Sequence, residues 1–99
     1  MPGVSVDAYV LDTLMADLVG HDRQPSAFLV YLRLWRQTVG QDVPSAQVSL
    51  TDLATGTGLS KRAVQGALSW LSRRRLLSVQ RSSITAVPVY TVRRPWIRT

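Results

Sequence analysis

The sequence contains no cysteine, no glutamate and only one histidine, His21. Without cysteine there is no disulfide, no thiolate zinc site and no cysteine nucleophile. The six aspartates are the only acidic side chains, and none of them follows Asp52. Because one histidine and a few aspartates do not make a metal cluster or a catalytic constellation, we expect no enzyme, no metal site and no cofactor.

Long apolar runs are also missing. The longest uncharged apolar stretch, residues 27–32, ends at Arg33 and is far shorter than the roughly 18 residues of a membrane-spanning helix. The N-terminus has no basic segment followed by an apolar core, which a secretory signal would show. We therefore expect a cytoplasmic protein without a membrane span, and the length of 99 residues predicts one domain over residues 1–99.

Acidic side chains are confined to one half of the chain. Residues 1–55 hold three arginines and all six aspartates, a net charge of −3. Residues 56–99 hold nine basic side chains and no acidic one, a net charge of +9. Such a division is typical of a protein that presents one face to a polyanion, although a solvated basic surface without a partner has the same composition.

Two amphipathic helices are predicted in the first half. Residues 5–19 form the first, with Ser5 as N-cap, Gly20 as its end and an apolar repeat of four residues at Val6, Val10, Leu14 and Leu18. Residues 26–39 form the second, between Pro25 and Gly40. Its apolar positions fall on two sides, and the side left to water carries Arg33, Arg36 and Gln37.

The second half predicts two short helices and a hairpin. A possible strand at 47–49 precedes a helix at 50–57 that Ser49 caps, and Gly58 then turns the chain at positive φ. Ser60 caps the next helix, which runs to about residue 74. Strands at 76–81 and 85–92 follow, with Pro88 placing the second on a sheet edge. Residues 93–99 form a basic tail that contains Trp96.

The residues from 49 to 77 resemble those of the winged helix-turn-helix family. The bacterial pattern is matched by Ser49-Leu50-Thr51-Asp52-Leu53-Ala54, Thr57-Gly58-Leu59-Ser60-Lys61-Arg62-Ala63-Val64, Ala67-Leu68-Ser69-Trp70-Leu71 and Arg75-Leu76-Leu77. The sequence departs from the pattern at Arg75, where the family usually has glycine. The resemblance covers about residues 26–92 and leaves residues 5–19 as an added helix. It implies a mostly α fold with a small β-hairpin, in which the helix at 60–74 enters the DNA major groove and the hairpin at 76–92 is the wing.

The resemblance and the charge together predict sequence-specific binding to double-stranded DNA, as in a small bacterial transcription regulator. At the start of the third helix, Arg62 is suited to guanine and Gln65 to adenine. Arg73 and Arg74 either contact phosphate or complement the helix dipole. The candidate DNA-binding residues are Ser60, Lys61, Arg62, Gln65, Ser69, Arg73, Arg74, Arg81, Ser82 and Ser83.

Alternatives to this interpretation stay open at the level of sequence. The same fold serves plasmid and phage replication initiators, and winged helices also act as protein–protein docking modules. The candidate side chains on the third helix also fit an ordinary solvated face, and those of the hairpin an exposed turn. We expect Trp70 to pack in the core, whereas Gly66 in mid-helix makes room either for the indole or for an approaching DNA backbone.

A homodimer is the further expectation from sequence. One recognition helix reads only a few base pairs, and a two-fold dimer doubles the site. The stripe of the added helix is widened by Leu11 and Met15, and the second helix is apolar on two sides. A chain of 99 residues hides one such surface more easily than both, which predicts that the N-terminal helices pair.

Overall fold

The computed structural model describes residues 3–97, so that Met1, Pro2, Arg98 and Thr99 lie outside the described part of the predicted domain and tail. A helical segment at 8–21, named here the N-terminal helix, comes first. It is followed by α1 (Pro25–Gln37), a 3₁₀ turn (Val39–Gln41), β1 (Ala46–Gln47), α2 (Leu50–Thr57), α3 (Lys61–Arg73), β2 (Leu77–Gln80) and β3 (Val89–Val92). The chain is thus mostly helical with one small antiparallel sheet of three strands, as the predicted fold class requires at this level.

The helix α1 is the centre of the core. Its N1/N2 proline, Pro25, begins the helix, and it packs against α3, α2 and the N-terminal helix. The α1 side chains that are buried are Ala27, Phe28, Val30, Tyr31, Leu34 and Trp35. The predicted end at residue 39 is wrong by two residues, because Thr38 leaves helical geometry while its buried hydroxyl donates to the Leu34 carbonyl at 2.8 Å. Most of both apolar sides of α1 is therefore buried by other elements of the same chain, whereas Leu29 remains exposed.

Two polar residues of α1 that were predicted to face water are partly buried instead. The Arg33 side chain crosses α2 so closely that a Cβ built on Gly56 would lie 2.6 Å from Arg33 Nε. Arg33 Nε and Gln37 Oε1 are both shielded from solvent without a hydrogen-bond partner among the described residues. Only Arg36 is exposed as predicted. The partial burial of Arg33 results from the packing of α2 onto α1 and is not predictable from the sequence pattern of α1.

The N-terminal helix differs from the prediction in its bounds and its winding. It has no side-chain cap at Ser5, it continues through Gly20, and it contains two π-helical segments, Val10–Leu14 and Ala16–His21. In them an amide bonds to the carbonyl five residues earlier, as Met15 N does to Val10 O. A repeat of four residues is longer than the 3.6-residue turn of an α-helix. The apolar repeat alone therefore does not distinguish an α-helix from a π-helix.

The predicted apolar stripe of this helix packs inside its own chain. Val10, Leu14 and Leu18 are at most 2% exposed and belong to the core, with Val6 partly buried against it. The stripe is therefore not a free surface, and the reason given for a homodimer on that basis is wrong. The homodimer itself stays a prediction, which now rests on the other side of the helix, where Leu11, Met15 and Val19 are exposed.

The elements from α2 to α3 agree with the prediction. The Ser49 hydroxyl accepts from Asp52 N at 3.0 Å, and the Ser60 hydroxyl accepts from Ala63 N at 3.1 Å, so both predicted caps are confirmed. Gly58 separates the helices at φ 78°, in the left-handed region that favours glycine. Local side-chain and backbone chemistry is sufficient for each of these features.

The sheet corrects the predicted hairpin in three respects. Its order is β1-β3-β2, so β3 is central and the edge placement predicted from Pro88 is wrong. Pro88 lies just outside β3 and its carbonyl accepts from Val48 N at 3.3 Å. The predicted strand at 85–92 is therefore only Val89–Val92, since proline lacks the donor that the ladder needs. The predicted strands at 47–49 and 76–81 are likewise Ala46–Gln47 and Leu77–Gln80, and residues 81–88 form a long β2–β3 loop.

The described part of the tail packs back onto the N-terminus. Trp96 stacks on Tyr9 with ring centroids 4.6 Å apart, and its Nε1 donates to Asp7 Oδ2 at 3.1 Å. Arg94 also reaches Asp7, at 3.4 Å, and the Tyr31 hydroxyl donates to the Arg93 carbonyl at 2.8 Å. Both ends of the described chain are thereby fixed on the side of α1, and Arg93 and Arg94 are engaged in internal contacts.

Candidate nucleic-acid interface

The first turn of α3 carries exposed basic side chains. Lys61 and Arg62 follow directly after the cap of Ser60, and all three residues are exposed. Neither Lys61 nor Arg62 forms an ion pair with any of residues 3–97. Their charges are therefore available to an external anion, in the turn where the helix dipole also favours one.

The middle of the exposed face of α3 is polar and small. Val64, Ala67 and Leu71 hold the opposite face in the core, which turns Gln65, Gly66 and Ser69 to solvent. A Cβ added at Gly66 would meet nothing within 4 Å. The possibility that Gly66 makes room for the Trp70 indole is therefore excluded, and the open approach to the helix backbone remains.

A cleft of about 700 Å³ separates α3 from the sheet. Its walls are Leu50, Gln65, Leu68, Ser69, Ser72, Val79, Arg81, Pro88 and Tyr90. Gln65 and Ser69 on α3 therefore face the same space as Arg81 at the start of the β2–β3 loop, so three of the candidate residues lie around one cleft. Arg81 is the one charged group in this lining, and no carboxylate opposes it.

Tyr90 is another residue of the cleft lining. Its side chain is almost completely buried, and burial raises the pKa of its hydroxyl while the charge of Arg81 acts in the opposite direction. The phenol therefore stays neutral near pH 7 and is a hydrogen-bond donor beside the arginine. A neutral donor next to a cation suits an anionic oxygen.

The three arginines at the end of α3 do not behave alike. The Arg73 guanidinium lies over the Trp70 ring, 5.5 Å from its centroid. Arg74 pairs with Asp17 Oδ2 at 3.7 Å and with Asp22 Oδ2 at 3.5 Å. Arg75 follows the helix at φ 60°, a left-handed conformation in which the family pattern has glycine. Arg74 is thus directed to the N-terminal helix, which weakens its predicted role as a phosphate contact.

Asp22 joins the end of the N-terminal helix to α3. Its carboxylate is shielded from solvent and accepts from Trp70 Nε1 at 2.9 Å, while His21 Nδ1 lies 3.0 Å from its other oxygen. The hydrogen bond with His21, together with Trp70 and the charge of Arg74, lowers the pKa of Asp22 against the opposing effect of burial. Trp70, predicted as a core residue, is half-buried and orients α3 through this bond.

The β2–β3 loop exposes its polar residues and two apolar side chains, Ile84 and Val87. Arg81, Ser82 and Ser83 are all exposed, as predicted for a hairpin tip. The turn is closed by Ala86 N, which donates to the Ser83 carbonyl at 3.3 Å. Between Ser83 and Thr85, Ile84 is 92% exposed.

The comparisons with protein-family models, curated proteins and solved structures return no match. Within residues 3–97 no helix has the length and apolarity that crossing a membrane requires. The same residues contain no group of three histidine, cysteine or acidic side chains placed to hold a metal ion. The function must therefore be argued from the geometry of the interface itself.

Several residues of this region were not predicted from the sequence. Tyr90 lines the cleft, although only the folded sheet brings it near Arg81. Ser72 lines it too, and the helical period already relates Ser72 to Ser69, three residues earlier. Asp22 lies between the predicted helices at 5–19 and 26–39, and its partner Trp70 lies 48 residues away. A usable signal existed for Ile84 as well, since an isoleucine between Ser83 and Thr85 interrupts a polar turn.

Proposed function

We propose that this protein binds double-stranded DNA as a winged helix-turn-helix module, with α3 in the major groove and the β2–β3 loop as the wing. The observation that carries the proposal is the cleft in which Gln65 and Ser69 of α3 face Arg81 of the loop without any opposing carboxylate. Lys61 and Arg62 extend the same helix face and have no internal ion-pair partner among the described residues. The role is that of a sequence-specific bacterial transcription regulator acting in the cytoplasm.

The dimensions of α3 support this assignment. Its 13 residues correspond to about 20 Å, which suits a major groove about 12 Å wide. With Val64, Ala67 and Leu71 packed inward, the helix presents Arg62 and Gln65 near its N-terminal end. In helix-turn-helix proteins this end meets base edges, and arginine and glutamine pair with guanine and adenine respectively.

The cleft between α3 and the β2–β3 loop binds the phosphate backbone. Arg81 supplies charge from the loop, Ser69 supplies a hydroxyl from α3, and Tyr90 in the same lining supplies a neutral donor. Ser82 and Ser83 continue the loop with further hydroxyl donors. These contacts carry no sequence information, and their function is to set the register of α3 in the groove.

Two alternatives are distinguished by specific features. A replication initiator would use the same interface, so the bound sequence and its genomic position separate it from a regulator. A protein-docking module would need an apolar or mixed-charge outer face on α3. That face is basic and polar at Lys61, Arg62, Gln65 and Ser69, which favours nucleic acid.

Selection of bound sequences from a random pool of duplex DNA tests the proposal. We expect an enriched motif of a few base pairs per recognition helix. Binding to that motif should weaken with salt at a log–log slope near −0.9 per phosphate contacted. A slope between zero and about −1, or a pool without enrichment, contradicts the proposal.

Substitutions then separate base contacts from phosphate contacts. Arg62→Ala and Gln65→Ala should each lose about 1–3 kcal/mol on the selected site and much less on random DNA. Arg81→Ala should weaken binding to both DNAs alike, because it contacts the backbone. Arg36→Ala is the matched control, since it removes one exposed charge from α1 in the acidic half. If Arg62→Ala lowers both affinities equally, its assignment to a base is wrong.

A further inference from the structure

Ile84 is exposed to a degree that no other large apolar side chain in the described chain approaches. It is 92% exposed, whereas the next most exposed large hydrophobic residue, Leu11, reaches 50%. An isoleucine in this position buries almost no area and gains nothing from the hydrophobic effect within the chain. Its side chain therefore does not serve the stability of the fold.

The position of Ile84 relates it to the proposed DNA interface. It sits near the tip of the loop whose first residue, Arg81, faces Gln65 and Ser69 across the cleft. Its neighbours Ser83 and Thr85 approach each other at 3.4 Å between hydroxyl oxygens. The loop carries positive charge at Arg81 and no negative charge, so a duplex seated in the cleft meets no repulsion along it.

The loop is anchored well enough to present a side chain. β2 and β3 pair over four residues up to Gln80 and Val89, and the turn from Ser83 to Ala86 is hydrogen-bonded. Gln47 Nε2 donates to the Val87 carbonyl at 3.3 Å, which ties the returning arm to β1. A tip held at both arms directs the side chain at its apex outward.

We propose that Ile84 is an apolar wedge that enters the minor groove, partly unstacks one base step and bends the DNA. The inference rests on the proposed DNA binding and deepens it. Apolar side chains such as isoleucine perform this role in proteins that kink duplexes, by about 20–90°. Pyrimidine–purine steps unstack most easily. The preferred DNA site should therefore contain a TA or CA step beside the base pairs that α3 contacts.

The effect on affinity and the effect on bending should differ. Burial of the isoleucine side chain gains an amount similar to the cost of unstacking one step. Loss of the wedge should therefore change the affinity by less than about tenfold, while the bend is lost. A side chain that only touched the backbone would change neither the bend nor the stacking.

The test compares full-length wild type with Ile84→Ser, Ile84→Leu and the control Val43→Ser on the selected site. Val43 is an exposed apolar residue of another loop, at 40% exposure. The bend is measured by energy transfer between dyes at the duplex ends. Unstacking is measured by 2-aminopurine fluorescence at each step beside the α3 contact. Thermal melts of the free proteins check that all variants are folded.

Wild type, Ile84→Leu and Val43→Ser should bend the DNA by at least about 20° and raise the fluorescence at one step, whereas Ile84→Ser should do neither. A straight duplex with wild type overturns the wedge, and so does a bend that survives Ile84→Ser. If Ile84 instead contacts a protein partner or a lipid surface, the shape of the bound DNA should be the same with Ile84→Ser as with wild type. Failure of the wild type to bind any duplex refutes the proposed function instead, so the two failures are distinguishable.

Discussion

Gly66 offers a test in which stability and binding should move in opposite directions. Glycine in a helix interior is less favourable than alanine by about 0.5–1 kcal/mol. Since a Cβ at this position meets nothing within 4 Å, Gly66→Ala should realise that gain in full. For a domain of this size the increase corresponds to a rise in Tm of about 2–8 °C.

The same methyl group should weaken DNA binding. Gly66 lies on the exposed face between Arg62 and Ser69, where the proposed duplex approaches the helix backbone. Inserting a methyl group into a close-packed contact typically costs about 1–3 kcal/mol. We therefore expect the affinity for the selected site to fall by about 5- to 150-fold, although the protein becomes more stable.

Gly56→Ala is the matched control, because it makes the same change in another helix. There the new Cβ would lie 2.6 Å from Arg33 Nε, so the arginine must shift and the gain in Tm should be absent or reversed. Thermal melts and equilibrium titrations on the selected site measure both quantities. A destabilised Gly66→Ala contradicts the open space at this position. A stabilised variant that binds DNA as well as wild type contradicts the close approach of DNA to α3.

Three further predictions concern the chain as a folded unit. Arg75→Gly should stabilise the protein by about 1 kcal/mol in chemical denaturation, because Arg75 has a left-handed backbone conformation at φ 60°. Arg75→Ala should not stabilise it, and an equal effect of the two substitutions would refute the conformational reason. Asp22 has a folded pKa below its ordinary 3.8, so its stabilising effect is complete above that pH and is lost as the pH falls through the folded pKa. The unfolding free energy of Asp22→Asn should accordingly depend less on pH below 3.8 than that of wild type, and a parallel pH profile contradicts this. Light scattering at micromolar concentration should give twice the chain mass of 11.0 kDa if the exposed side of the N-terminal helix pairs, and Leu11→Ser with Met15→Ser should then give the single mass. A single mass for wild type removes the homodimer.

Local chemistry was enough to predict the segment from Ser49 to α3. The two serine caps, the left-handed Gly58 and the inward stripe of α3 each depend on residues within a few positions of one another. The same is true of the exposed side of α3, which follows once the apolar positions are assigned to the core. The exposure of Lys61, Arg62, Gln65 and Ser69 was therefore predictable from sequence alone.

Features that depend on contacts between distant residues were not predictable in this way. The central position of β3, the direction of Arg74 and the partial burial of Arg33 were all decided by which elements pack together. The hydrogen bond from Trp70 to Asp22 spans 48 positions, and that from Trp96 to Asp7 spans 89.

The amino-acid sequence by itself determined the helices and turns whose hydrogen bonds close within about one turn, together with the distribution of charge along the chain. Only the tertiary structure decided that Gln65, Ser69 and Arg81 share one cleft and that the stripe of the N-terminal helix lies inside its own core. The physical reason is that a cap or a turn is stabilised by neighbours in the chain. A cleft between a helix and a sheet exists only after the core has brought the two together.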